Sequence, residues 1–515
     1  MERPLFIRAD ASAELGAGHI MRMLALAQAW RGEGGAAVFL CALLPDLLAE
    51  RLRAEGFTVV RLPPTATQSA DAQATLAAIE HQLSVFKFPV SGLKFQVSDA
   101  WLLADGYHFG PEFQQVIKAG GVRLLVVDDN GENSDYVCEL VLNQNLHAAE
   151  SFYARRTAQT RLLLGSRYAL LRSEFLAARK QARVIPPIAH RLLVTLGGSD
   201  PGNMTGQVLA SLAALGQMEG ELVVVLGGGN PRGAELEHAA QALPWTTVRV
   251  LRNVSDMSSL LQQADLAVTA GGSTCWEMCL LGLPMLVISI AENQRQLALG
   301  LGAAGAACVV GHAGEFDPAA LGRQLSNLWG DAVRRQALST AARRIVDGLG
   351  AQRVLAALRG EELFLRPAAM EDAELLWNWA NEPTIRAASF HPQPIPWETH
   401  LAWMQRKLGD ERVMLLMAEA GEGPVGVVRF EREADGSAVI SVALAAAARG
   451  RGLGAKLVAA GTRRFVATTD GRVIHAYIKP DNAASVSAFE RAGFGVADDV
   501  NMAGAPALHR VWRSS

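Results

Sequence analysis

An α/β chain with two parallel-sheet domains followed by a third unit of mixed strands is the architecture this sequence predicts. Three observations carry it. Short, wholly apolar runs recur at intervals filled by helix-length amphipathic stretches, the series restarts after Pro186-Pro187, and between Leu358 and Glu362 it gives way to longer strands joined by turns. Apolar runs without alternation are strands buried on both faces, and helix-length spacers make each connection a crossover, so the first two sheets are parallel.

Taken in order, the runs LFIRA, AAVFL, TVVRL, WLLAD and LLVVDD are separated by helical segments such as HIMRMLALAQAWRGEG and LPDLLAERLRAEG. From His190 a second series follows: RLLVTLGG, ELVVVLGGG, TVRVL, DLAVTAGG and MLVISI. The third unit opens with tryptophan-rich helices in LFLRPAAMEDAELLWNWANEP and continues with antiparallel strands in MLLMAEAGEGPVGVVRFEREADGSAVISVAL. The expected domains are residues 1–185, 186–357 and 361–515.

A chain of 515 residues exceeds a single core and implies several packing units. A net charge of −3 and an apolar fraction of 50% point to a soluble, enzyme-like protein and away from a nucleic-acid surface or disorder. The opening MERPLFIRAD has no apolar core of signal-peptide length, and no segment reads as membrane-spanning, so a cytoplasmic location without a membrane partner is expected. Cys41, Cys138, Cys275, Cys279 and Cys308 include no CxxC pair, which suits buried thiols better than disulfides or zinc.

The chemistry begins at GAGHIMR. Gly16 and Gly18 let the backbone approach a sugar or phosphate, His19 stands at the start of a helix, and Arg22 follows one turn later. Met21 replaces the third glycine of a dinucleotide fingerprint, which argues against a nicotinamide cofactor. At the carboxyl end of the first strand, the position points to His19 as a general base. In GGSTCWE, Gly271 and Gly272 precede Ser273 or Thr274 as a helix cap, a seat for pyrophosphate, with Glu277 one turn on to accept ribose hydroxyls. Gly197, Gly198 and Ser199 in LGGSDPGN form a second glycine loop for the same phosphates, and Asn293 and Gln294 in ENQRQ offer amides to a sugar. Asp128 and Asp129 read as a strand terminus lining the cleft, and Asp105 has the same ambiguity between cleft and metal ligand. No metal is called for.

RADASAELGAGHIMRMLALAQAW, LLVVDDN, LVLNQNLHA, LLGSRYALLRSEF, VTLGGSDPGN, GGSTCWE and ENQRQ, in that order, resemble the nucleotide-sugar hydrolases of pseudaminic acid biosynthesis. These remove UDP from UDP-2,4-diacetamido-2,4,6-trideoxy-β-L-altropyranose. The resemblance implies two Rossmann-like domains in the arrangement of the two-domain (GT-B) inverting glycosyltransferases. It also implies a catalytic His19, Asn293 near the reacting sugar, and nucleotide on Gly271, Gly272 and Glu277, without metal.

The last segment carries RGRGLG, in which Arg449, Gly450, Arg451, Gly452, Leu453, Gly454 and Ala455 lie between a strand and an apolar helix. Successive amides there can cradle a pyrophosphate. With VIHAYIKPDNAASVSAFERAGF, this loop resembles the GNAT acetyltransferases and implies acetyl-CoA as cosubstrate, with Asn482 near it. WNWANEPTIR and WETHLAWMQRKL resemble the sugar-nucleotide acetyltransferase of the same pathway, so the chain is expected to acetylate a UDP-linked 4-amino sugar and then hydrolyse the product. Where that superfamily commonly has an acid-donating tyrosine stands Phe489; Tyr477 and His475 are the substitutes nearby. Trp377, Trp379 and Trp403 read as ring-stacking or core residues. Competing expectations are a glycosyltransferase, a non-catalytic nucleotide-sugar-binding module, and a protein amino-terminal acetyltransferase.

Overall fold

The apolar runs fold as strands, and the computed structural model describes them within residues 4–12, 14–85, 97–198, 200, 202–228, 230–421 and 423–514. The chain divides into two compact units, Met1–Leu355 and Ala356–Ser515.

Unit one holds two parallel sheets. The first contains β1 (Leu5–Ala9), β2 (Ala37–Cys41), β3 (Thr58–Arg61), β4 (Trp101–Asp105), β5 (Arg123–Val127), β6 (Leu140–Asn143) and β7 (Arg161–Leu164), in the order β3-β2-β1-β4-β5-β6-β7. The central strands β1, β2 and β4 are buried along their whole length, as unalternating runs require, while the edge strand β3 is partly exposed. The second contains β8 (Arg191–Thr195), β9 (Met218–Leu226), β10 (Trp245–Arg252), β11 (Leu266–Ala270), β12 (Met285–Ser289) and β13 (Cys308–His312), in the order β10-β9-β8-β11-β12-β13. Both sheets are doubly wound. In each, the first strand lies beside the fourth, so the winding reverses there and leaves a crevice at the strands' carboxyl ends. The short strands β6, β7 and β13 are not set apart by the run pattern.

The same sequence logic fixes the helix that follows β11. Thr274–Leu281 is apolar on nearly every side, with Cys275, Trp276, Met278 and Cys279 at most 1% exposed, and it ends at Gly282 in a left-handed turn. Truncating a tryptophan so deeply packed costs about 3–5 kcal/mol, which holds the helix amino terminus in place for the site. All five cysteines are buried and unpaired.

Unit two is one mixed sheet: β14 (Phe364–Pro367), β15 (Val413–Ala420), β16 (Gly423–Arg432), β17 (Ala438–Leu444), β18 (Val473–Ile478), β19 (Gly495–Val496), β20 (Val500–Met502) and β21 (Ala505–Arg513). The order is β14-β15-β16-β17-β18-β21-β19, with β20 on β21, and the pairs are antiparallel except β17 with β18. That parallel pair touches at Ala438↔Ile474 and Val439↔His475 alone, although β17 stays laddered to β16 out to Leu444 and β18 to β21 out to Ile478. The sheet therefore parts beyond His475. Helices Leu453–Thr468 and Ala483–Arg491 bury Leu457, Val458, Phe465 and Phe489 with Phe430, Ile440 and Ile474. Leu415 and Met417, alternating with Leu416 and Ala418, face a smaller cluster with Leu376 and Met404 of the tryptophan-bearing helices.

Candidate functional site

At the winding reversal of the first sheet, β1 leads into helix Gly18–Gly32 and β4 ends at Asp105, so His19 and Asp105 converge from opposite sides of one crevice. Asp105 is fully buried, and its Oδ1 lies 2.7 Å from His19 Nδ1. Arg22, one turn further along the helix, donates from Nε and Nη2 to the same carboxylate at 2.5 and 2.6 Å, and from Nη1 to both oxygens of Asp129 at 2.9 Å. Burial opposes the Asp105 charge, but the Arg22 guanidinium, with His19, outweighs it and holds the carboxyl down at about 2. A carboxylate can only accept, and its 2.7 Å contact with Nδ1 is much shorter than the 3.3 Å approach of Arg22 Nη2, which is already donating to Asp105, so the geometry favours the His19 proton on Nδ1 and leaves Nε2 as a proton acceptor. A cavity of about 240 Å³, lined by Asp10, Leu15, His19, Asp105, Gly106, Tyr107 and His108, opens beside that imidazole. No atom lies within 4 Å of where a Cβ would stand on Gly16 or Gly18, so both leave open space near the site.

Asn293 of the second half reaches this pocket: its Nδ2 donates to the Tyr107 hydroxyl at 3.3 Å, and the Tyr107 ring meets His19 edge-on at 5.2 Å. Burial, then the Asp129 charge, raises the Tyr107 pKa, so the hydroxyl stays protonated. Asp128 differs from its expected place lining the cleft. Its Oδ1 accepts from the amides of Asn130 and Gly131 at 2.8 and 2.6 Å, and Oδ2 takes the Tyr136 hydroxyl, so the carboxylate closes its own turn.

At the reversal of the second sheet the loop after β11 meets the loop after β12, where Gly271 approaches Gln294, while the loop after β8 lies against the loop after β9, with Gly198 beside Gly227. Ser273 stands at the N-cap of helix Thr274–Leu281, but no side chain caps it, contrary to the expected role of Ser273 or Thr274. Ser273 is itself helical in backbone, which turns its hydroxyl away from the first-turn amides. The amides of Ser273 and Thr274 have no protein acceptor among the described residues, and the space over Gly272 is open. The helix after β8 is different: Asp200 accepts from Met204 and Thr205 amides at 2.8 Å each, so Gly197 and Gly198 offer loop amides rather than a free helix end. Ser199 lies outside the described residues. Glu277 is seated as expected one turn on, but its Oε1 accepts from Arg172 at 2.9 Å; burial raises its pKa and Arg172 opposes the rise. Its Oε2 has no partner among the described residues. Gln294 spends its amide oxygen on Ile290 N at 3.0 Å, inside its own loop.

In unit two, Gly450 and Gly452 have φ of 73° and 74°, the left-handed region that lets RGRGLG curl its amides ahead of helix Leu453–Thr468. Gly454 faces the helix Ala483–Arg491 closely enough that a Cβ added there would stand 3.4 Å from Ala488 Cβ. Arg451 is exposed, and Ala455 follows in the first turn. Arg449 is engaged elsewhere, with Nη1 and Nη2 on Glu382 at 2.6 and 2.7 Å and Nε on Leu444 O, so it braces the loop. Asn482 caps the next helix by accepting from Ser485 N at 3.1 Å. His475, at the point where the sheet parts, bonds His509 at 2.9 Å, and Tyr477 stacks on His509 at 4.9 Å; His509 was not foreseen, because a different strand supplies it. Phe489 is core, packed on Phe494. Trp379 and Trp403 pack on the smaller cluster, and Trp377 donates to Ile395 O at 2.7 Å. Among the described residues no group of three or more His, Cys, Asp or Glu side chains is placed to hold a metal ion, and no helix is long and apolar enough to cross a membrane.

Residues 192–349 match the glycosyltransferase family 28 C-terminal domain, and residues 362–495 match the acetyltransferase (GNAT) domain. An uncharacterized protein of Methanocaldococcus jannaschii is 22% identical over 503 residues, covering 94% of this chain and 95% of its own. The spore coat polysaccharide biosynthesis protein SpsG of Bacillus subtilis is 32% identical over 202 residues, 39% of this chain and 58% of that one. Mycothiol acetyltransferase of Corynebacterium glutamicum is 29% identical over 191 residues, 34% of this chain and 64% of that one. With two doubly wound sheets in unit one and a parted mixed sheet in unit two, the chain joins a GT-B, nucleotide-sugar glycosyltransferase-like region to a GNAT acetyltransferase domain.

Proposed function

We propose that this chain is a bifunctional nucleotide-sugar enzyme. Residues 361–515 transfer acetyl from acetyl-CoA to the 4-amino group of a UDP-linked 4-amino-4,6-dideoxy-N-acetyl-L-altrosamine, and residues 1–185 with 186–357 then hydrolyse the product to UDP and the free diacetamido sugar of the pseudaminic acid pathway. In the first step the amine nitrogen bonds the thioester carbon, the C–S bond breaks, and the CoA thiolate gains a proton as the amine loses one. Tyr477 stands beside the His475–His509 pair for that proton exchange. The loop amides from Gly450 onward, with exposed Arg451, suit the pyrophosphate of CoA.

In the second step His19 Nε2 takes a proton from water, whose oxygen bonds the anomeric carbon while the bond to the UDP oxygen breaks on the opposite face. Amides of Ser273 and Thr274 meet the charge that develops on the departing phosphate, and Glu277 Oε2 receives the ribose. The observation that carries this reading is the 2.7 Å contact between Asp105 and His19, which fixes the base in its accepting tautomer beside a sugar-sized cavity.

A glycosyltransferase reading draws support from the family matched by residues 192–349. Proton and phosphorus NMR of the intact chain with the UDP-linked 4-amino sugar separates the two. UDP and a new N-acetyl signal appearing once acetyl-CoA is added support the hydrolase; acetylation with UDP release that waits for an added alcohol supports the transferase.

A further inference from the structure

We propose that Asp10 and His108 together read one hydroxyl group of the sugar that enters the pocket beside His19. This rests on the nucleotide-sugar reading above and names the substituent that the pocket selects.

Asp10 follows β1 directly and is 5% exposed, yet it is used on one side only. Its Oδ1 accepts from Arg8 Nη1 at 2.7 Å and from the amides of Ala42 and Leu43 at 2.8 and 2.9 Å. Arg8 is meanwhile committed to Asp71, with Nε and Nη2 donating at 2.9 and 2.8 Å. Two carboxylates thus share one guanidinium, and the pocket floor keeps one negative charge without a full partner. Asp10 Oδ2 faces His108 Nε2 at 3.5 Å, too long for a strong hydrogen bond, and both residues line the cavity that His19 lines. Asp71 Oδ2 lies 3.9 Å from the same nitrogen.

A bare imidazole lone pair turned toward two carboxylates would be repelled, so these contacts assign the His108 proton to Nε2. The His108 side chain is 44% exposed, and its partial burial, then the Arg8 charge, lowers its pKa, which favours the neutral ring. The wall therefore presents an acceptor and a donor 3.5 Å apart. One hydroxyl oxygen satisfies both, donating to Asp10 and accepting from His108. An ammonium offers no acceptor, and a deoxy carbon offers neither group and leaves a buried carboxylate oxygen unpaired. Sites of this kind discriminate strongly against the analogue that lacks the hydroxyl.

The test is calorimetric binding to the full chain of UDP, UDP-N-acetylglucosamine, its 3-, 4- and 6-deoxy analogues, and its 4-amino-4-deoxy analogue. The expected result is one deoxy analogue weaker by on the order of 10²-fold. His108→Ala and Asp10→Asn erase that difference while UDP affinity stays within about twofold, and His108→Gln, which can still donate, retains part of it. If Asp10→Asn fails to fold, the His108 variants decide. Equal loss for every sugar nucleotide, or no change in either variant, overturns the inference, as does an amino analogue that binds tighter than its parent. Failure of UDP itself to bind overturns the nucleotide-sugar reading instead, and this inference with it.

Discussion

Tyr107, on the loop after β4, accepts a hydrogen bond at 3.3 Å from Asn293, on the loop after β12, and its ring stands edge-on to His19 at 5.2 Å. One phenol thus ties the second parallel-sheet half to the wall beside His19, the proposed base, in the first. Tyr107→Phe keeps the ring and removes the link. Turnover of the nucleotide sugar should fall about tenfold, the kinetic equivalent of one net hydrogen bond. Asn293→Ala should cost a similar factor, and the double variant less than the product of the two, because both delete the same contact. Independent, fully multiplicative losses would mean that the residues act separately.

Asp105→Asn tests the orientation of the base. An amide at this position can donate to His19 Nδ1 and stabilise the tautomer whose Nε2 carries the proton, which cannot act as a base. Turnover should drop by about 10³-fold or more, with UDP affinity unchanged, since the proposed nucleotide seat lies on the other half. Arg22 would lose one of its two carboxylates, so a stability loss of a few kcal/mol is also expected, up to about 3–5 kcal/mol for a buried pair broken on one side. Denaturant unfolding of the variant separates the two effects. A variant that turns over normally would remove His19 from the base role.

The same carboxylate gives a pH prediction. Its folded pKa of about 2 lies below the ordinary carboxylate value, so it adds stability that is fully present above pH 4 and is lost as pH falls toward 2. For so deeply buried a group the loss is about 2 kcal/mol. Wild type should therefore lose stability more steeply than Asp105→Asn between pH 4 and 2, and parallel acid-unfolding curves would show that Asp105 carries no such linkage.

How much of this was legible in the sequence follows from how local each signal is. The strands that build the crevices announce themselves as unbroken apolar runs, and His19, Arg22 and Glu277 sit within a turn or two of glycine loops that mark strand ends. Asp10, Tyr107 and His108 were missed, because what matters about them is made by strand pairing. Arg8 meets Asp71 63 residues away, and the His19 pocket forms where β1 lies beside β4. The one available hint was that RAD and LAD both end strands in aspartate, at what proves to be the winding reversal. Arg449 and Asn482 were legible as part of a loop and a turn, yet their partners Glu382 and Ser485 show side chains committed to bracing and capping.

Gly452→Ala probes the loop proposed to hold acetyl-CoA. With φ at 74° and open space around the missing Cβ, the substitution meets no clash and pays only the left-handed backbone cost, roughly 1–2 kcal/mol. Global stability should fall by no more than that, while affinity for CoA falls severalfold as the amides of the turn lose their aim. Unchanged CoA affinity at reduced stability would detach the loop from the cosubstrate.

The His475–His509 pair predicts the acid limb of acetyl transfer. Their 2.9 Å contact lets one proton be shared between Nδ1 and Nε2, and Asp435, Asp498, Arg513 and Tyr477 are the other titratable or charged groups around them. Burial, followed by His475, lowers the His509 pKa, so His509 stays able to accept a proton below the ordinary histidine value. If His509 receives the amine's proton, kcat/KM for acetyl transfer to the UDP-linked 4-amino sugar should hold as pH falls, down to a midpoint below pH ~6.5. His475→Gln removes the like-charge contribution and should move that midpoint upward, whereas a pair that only packs between β18 and β21 would leave the acid limb where it was.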